Sequence, residues 1–255
     1  MDSIALTGGA VPADVDYPCS DGRPVAETPV HYRNLTTIKD ILERRFADQP
    51  MTYVGANMFV YYVRGKTNKR VAPDVFVARG ASRDKDRRVY QVWKEDGHAP
   101  DVVFEITGRS TRSEDQVKKL RIYRDSLTVR EYFLFDPKAE YLDPPLMGYR
   151  LRGGRYVRIK PVSKRLPSEE LGLHLERAGE DLRLYDPISG KWLPTAKEAL
   201  LDEREARLHE REARLQEREA RLQEHEARLD AERRINQAEA EIERLRRELE
   251  SRGEK

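Results

Sequence analysis

Residues 99–125 read APDVVFEITGRSTRSEDQVKKLRIYRD: a Pro-Asp pair, an apolar run broken by one carboxylate, a glycine, then a charged stretch. The run 101–107 has the branched and aromatic character of a strand, and Thr111 with Glu114 three residues on is a capping-box signature for a helix reaching about Ser126. A strand passing directly into a helix predicts a mixed α/β core. Working outward, residues 127–137, LTVREYFLFDP, supply a second short apolar strand, Glu131–Phe135, ending at Asp136-Pro137. Upstream, residues 71–78 follow another Pro-Asp pattern as a strand, and residues 53–63 form an aromatic-rich strand before it. Ile38, Ile41, Leu42 and Phe46 share one helical face, which Thr36 or Thr37 would cap and Pro50 would end. Downstream, residues 149–151 and 156–159 flank Gly153-Gly154, and residues 182–185 and 191–193 flank an Asp-Pro-Ile-Ser-Gly turn. Both are hairpin patterns expected to extend the sheet.

The 255 residues are 38% hydrophobic and 37% charged, which predicts one medium domain with extended or disordered parts. The first thirty residues, carrying Gly8, Gly9, Pro12, Pro18, Gly22, Pro24 and Pro29 among few large apolar side chains, read as a tail. Residues 31–200 hold the domain, and residues 201–255 a long charged helix. From Glu203 the heptads EREARLH, EREARLQ, EREARLQ and EHEARLD repeat without Gly or Pro. Leu208, Leu215, Leu222 and Leu229 lie about 200° from the alanines two residues earlier, so the apolar stripe is one leucine wide. Glu203–Arg207, Glu210–Arg214, Glu217–Arg221 and Glu224–Arg228 are i,i+4 pairs, each contributing roughly 0.2 to 0.5 kcal/mol. Beyond Asp230, Ile235, Ala238, Ile242, Leu245 and Leu249 alternate by three and four, a coiled-coil seam in a new register and a route to homo-oligomers.

Forty-eight Lys and Arg against 46 Asp and Glu give a net charge of +2, so any nucleic-acid surface has to be local. A mean hydropathy of -0.82 and the absence of a long apolar run predict no membrane span, no secretory signal and a cytoplasmic location. One cysteine, Cys19, removes intrachain disulfides, and His31, His98, His174, His209 and His225 lack ligand spacing.

The chemistry concentrates in Asp74, Asp101, Glu105, Lys118 and Lys119. Along a strand Asp101, Val103, Glu105 and Thr107 point one way and Val102, Phe104 and Ile106 the other. If Asp74 lies level with Glu105 on a neighbouring strand, the two carboxylates can hold Mg²⁺ through oxygen ligands, leaving positions for phosphate and water. Lysine from the next helix, where Lys119 shares a face with Asp115 and Tyr123, would stabilise phosphorane charge or help to deprotonate water. That is phosphodiester hydrolysis. Pro-Asp pairs also merely start strands with solvated acids, and both readings stay open for Asp74 and Asp101. Glu105 is the sharper anomaly, because a carboxylate inside an apolar strand is paired, metal-bound or costly. Arg109 and Arg112 around a helix first turn could add a phosphate contact, although capping roles for Ser110 and Thr111 compete with it.

The run APDVFVARG (72–80), the stretch 99–125, LTVREYFLFDP and LMGYRLRGGRYVRI (146–159) resemble the bacterial Uma-two endonuclease family over roughly residues 30–200. That resemblance implies a restriction-endonuclease-like fold of the PD-(D/E)xK superfamily, a mixed central sheet flanked by helices, and cleavage of DNA with Mg²⁺ or Mn²⁺. It makes Asp74 the motif aspartate, Glu105 the following strand's acid and Lys119 the lysine, with Asp101 a further candidate metal ligand and Lys118 the fallback. A literal (D/E)xK spacing would put lysine at Thr107, so here it has to come from the helix. Tyr123 and Asp115 also match the family pattern, with packing or lysine orientation as the expected roles. The competing reading is an inactive nuclease-like binding or scaffold protein assembling through its C-terminal helix. A hydrolase acting through a serine or cysteine nucleophile is discounted, for want of a Gly-x-Ser-x-Gly elbow or a credible Cys-His pair.

Overall fold

A computed structural model describes residues 15–20, 28–108 and 114–253, with only the backbone described at 114–116 and 248–253. Among the described residues the first element is helix α1, Pro29–Arg45, and thirteen strands follow. They are β1 Thr52–Ala56, β2 Val60–Tyr61, β3 Arg70–Val71, β4 Val75–Arg79, β5 Tyr90–Gln91, β6 Val102–Ile106, β7 Glu131–Phe135, β8 Leu146–Arg152, β9 Arg155–Arg158, β10 Leu166–Ser168, β11 Leu173–Ala178, β12 Asp181–Asp186 and β13 Lys191–Trp192. A wide, π-type helix, Glu114–Lys119 and Ile122–Ser126, joins β6 to β7. Helix α2 spans Ala196–Gly253.

The main sheet has the order β1-β4-β6-β7-β8-β9, with β6 and β7 parallel and every other pair antiparallel. A parallel pair needs a crossover, which the wide helix supplies. Every residue of β6 and β7 is buried, so both strands are covered on both faces. On one face Val75, Val77, Val102, Phe104, Ile106, Phe133 and Phe135 pack with Leu35, Ile38, Ile41 and Leu42 of α1 and with the leucines of β11 and β12. On the other, Phe76, Val103, Tyr132 and Leu134 pack with Tyr123, Leu127 and the small sheet β3-β2-β5. This is the mixed α/β core that the element order predicts, arranged as the mixed central sheet that the family resemblance implies.

Several details differ from expectation. Helix α1 begins at Pro29, and Thr28 caps it by accepting the His31 N–H at 3.2 Å, whereas Thr36 sits inside and returns its hydroxyl to the Tyr32 carbonyl at 2.9 Å. Proline at the first helical position is the start signal that outranks the threonines. The expected strand 53–63 is two strands, because Asn57 takes a left-handed turn at φ 45° between β1 and β2. Pro73-Asp74 likewise separates β3 from β4. The Gly153-Gly154 hairpin extends the main sheet, with both glycines at positive φ as a tight turn demands. The β12–β13 hairpin does not extend it and instead completes a separate sheet, β10-β11-β12-β13, stacked on α1.

Residues 15–20, within the stretch read as a tail, lie against the small sheet. The Tyr17 ring is 5.0 Å from Tyr61, and the Tyr61 hydroxyl donates to the Pro18 carbonyl at 2.7 Å. The rest of that stretch, 1–14 and 21–27, falls outside the described residues, as does Thr111 of the expected capping box.

The chain divides into two units, Met1–Ala196 and Lys197–Lys255. In the second, Glu203–Arg207, Glu210–Arg214 and Glu217–Arg221 form the expected i,i+4 pairs, each at 2.6 Å. Among the described residues no helix is long and apolar enough to cross a membrane.

Candidate active site

Two neighbouring strands and one helix bring the candidate side chains together. Strand β4 runs antiparallel to β6 with Val75 opposite Phe104, so continuing that register by one residue sets Asp74 beside Glu105. The Asp74 Oδ2 accepts the Ile106 N–H at 2.6 Å, which pins the carboxylate to the end of β6. Its side chain retains 16% exposure.

Glu105 is 1% exposed in the core of the sheet. Burial of an isolated carboxylate costs several kcal/mol, so such a group needs partners. It has two. The Lys119 ammonium lies 2.7 Å from Oε2, and the Tyr123 hydroxyl donates to Oε1 at 2.6 Å. Lys119 and Tyr123 are four residues apart along the wide helix and present both groups to one carboxylate. Widened helical turns of this kind concentrate at functional sites. Burial first, and then the Glu105 charge, hold the Tyr123 hydroxyl well above its ordinary pKa, so it stays a proton donor.

A family profile described as "Putative restriction endonuclease", Uma2, matches residues 5–180 of the 255. The chain belongs to the Uma2 family. A solved structure similar to it, described as a putative nuclease belonging to DUF820 from Anabaena variabilis, is 13% identical with a TM-score of 0.44, covering 59% of this chain and 79% of that one. No curated protein matches the chain.

In this Uma2 chain the residue at the literal lysine position, Thr107, is buried and donates its N–H to the Phe135 carbonyl at 2.7 Å. Lys119 brings its ammonium to the same acid from the helix instead. Lys118, the fallback, is exposed, and its charge acts on the Tyr62 hydroxyl.

Asp101 does not join the site. It opens β6 four residues before Glu105, about 13 Å away along an extended strand. There its Oδ2 accepts the Arg79 N–H at 2.7 Å and its Oδ1 lies 3.5 Å from Arg130. Burial pushes the Asp101 carboxyl up, against the pull of Arg79 and Arg130. Its reading as a further metal ligand therefore gives way to a structural one. Arg109, Ser110 and Arg112 lie outside the described residues, and the Asp115 side chain is not described.

Sequence spacing missed His31. It sits in the first turn of α1, and its Nε2 is 3.2 Å from Asp74 Oδ2 across 43 residues of sequence. The available signal was Thr28-Pro29, which starts the helix early enough to include it.

Among the described residues no three His, Cys, Asp or Glu side chains gather as a metal-holding group. Two carboxylates at one sheet end nevertheless match the donor set of Mg²⁺, which binds through one or two carboxylates and fills its shell with waters and substrate phosphate. The Ile106 N–H and His31 both engage Asp74 Oδ2.

Proposed function

We propose that this Uma2 chain is a Mg²⁺-dependent endonuclease that hydrolyses DNA phosphodiester bonds at Asp74, Glu105 and Lys119. The observation that carries the proposal is the buried Glu105–Lys119 pair beside Asp74, formed although the strand itself lacks the motif lysine. The family description, restriction endonuclease, supports DNA as the substrate.

Asp74 and Glu105 would hold the ion, with Mn²⁺ as the alternative to Mg²⁺. Bound there, it supplies neutralisation of phosphate charge and a water of lowered pKa. Lys119 places a fixed positive charge beside the acids, where it stabilises negative charge as water adds to phosphorus. Tyr123 holds one Glu105 oxygen and so fixes the carboxylate plane. The Ile106 N–H and His31 fix Asp74 from its other side.

The test is cleavage of supercoiled plasmid and of linear duplex in Mg²⁺ and in Mn²⁺. Asp74→Ala and Glu105→Gln are each expected to abolish cutting while retaining the melting transition of a folded chain. Undiminished cutting by both variants overturns the proposal.

A further inference from the structure

We propose that residues 234–246 of α2 are a self-docking strip that joins two copies of this chain as a parallel, in-register, two-stranded coiled coil. Ile235, Ala238, Ile242 and Leu245 follow the three-four-three spacing of one helical stripe, and the chain is helical throughout it. Ile235, Ile242 and Leu245 are 58%, 52% and 46% exposed, so the stripe is uncovered within a single copy. The two isoleucines take the first core position of each heptad, Ala238 and Leu245 the second. Isoleucine in the first and leucine in the second favours two parallel strands.

Charge selects the partner and the register. The residue before each first core position is Arg234 or Glu241, and the residue after each second is Glu239 or Arg246. In a parallel in-register pair Arg234 faces the partner's Glu239, and Glu241 faces the partner's Arg246. Both contacts are of opposite sign. Sliding one helix by a heptad sets Arg234 against the partner's Arg246, a like-charge contact that disfavours the shifted register.

The strip also has a defined beginning. Carried upstream, the same register puts Arg207, Arg214, Arg221 and Arg228 at the first core position and Glu210, Glu217 and Glu224 at the second. Such a seam of charged side chains cannot be buried. The upstream leucine stripe does not extend the seam, because the six residues from Leu229 to Ile235 fall about 120° short of two full turns. Helix α2 thus combines a charged stretch with a dimerising end. The short seam makes association concentration-dependent.

Light scattering and sedimentation of the full chain over a concentration series, in low-salt buffer, test this. The mass is expected to climb from 29.7 kDa toward twice that value, and Ile242→Lys to hold it at 29.7 kDa with unchanged helix content. Glu241→Arg and Arg246→Glu each create two like-charge contacts in a homodimer, so each alone is expected to be monomeric. Mixed together they restore both opposite-sign contacts and are expected to form a dimer. A wild type that stays at 29.7 kDa at the highest concentration overturns the proposal, as does an Ile242→Lys chain that still dimerises or a mixture that does not associate.

Discussion

Lys119→Met is expected to lower the single-turnover rate of DNA cleavage by about 10²- to 10³-fold, the usual loss when one fixed transition-state contact is removed. The same substitution is expected to leave Mg²⁺ affinity unchanged or higher. In the protein the ammonium sits 2.7 Å from Glu105 Oε2, where it competes with a divalent cation for one carboxylate. Removing it discards the competitor and the catalytic charge together, so rate and affinity move in opposite directions. Lys119→Arg keeps the charge but changes its shape, and should recover part of the rate. Rapid-quench kinetics with calorimetric metal titration separate the two effects. A variant that loses metal binding and rate in parallel would assign Lys119 a structural role only.

Glu131→Ala is expected to cost about 2 to 4 kcal/mol of stability, because several buried groups lose one shared acceptor. Glu131 is fully buried at the start of β7. Its carboxylate accepts the Ser168 hydroxyl, the Glu169 N–H at 2.9 Å and the Arg150 guanidinium at 2.8 Å. It thereby fastens the main sheet to the end of β10, where the second sheet begins. Truncation leaves Arg150 with Glu169 Oε1 at 2.6 Å as its remaining carboxylate, and deprives the buried Ser168 hydroxyl and the Glu169 N–H of their acceptor. Glu131→Gln keeps an acceptor and should cost less. Urea denaturation followed by fluorescence checks the order. A Glu131→Ala chain within 1 kcal/mol of wild type would show that the two sheets hold together without this clamp.

The parts of the fold legible in the sequence are those fixed by local pattern. Strands β6 and β7 are continuous apolar runs with a Pro-Asp or Asp-Pro boundary, and both faces of each are covered, so nothing remote had to be known. The single carboxylate in β6 stood out for the same reason. What the sequence could not give is strand direction. Asp74 and Asp101 each follow a proline at the start of a strand, and by pattern they are equivalent. Because β4 and β6 are antiparallel, their starts lie at opposite ends of the pair. Asp74 therefore meets Glu105, at the far end of β6, while Asp101 meets Arg79. His31 was hidden because its partner is 43 residues away and its contact depends on how α1 docks. The second sheet was hidden because the pattern of a hairpin does not say which sheet it joins. The shared face of Lys119 and Tyr123 was legible in their i,i+4 spacing, whereas the π-type widening of the helix that carries them has no signature in residue spacing.

The most direct test of the site is calorimetric titration of Mg²⁺ and Mn²⁺ into the wild type, Asp74→Ala and Glu105→Gln, each with and without duplex DNA. Saturable binding to the wild type, strengthened by DNA and lost in both variants, is the expected result. Absence of divalent binding to the folded wild type even with DNA present, or binding that survives both substitutions, would contradict a metal-dependent nuclease centred on Asp74 and Glu105.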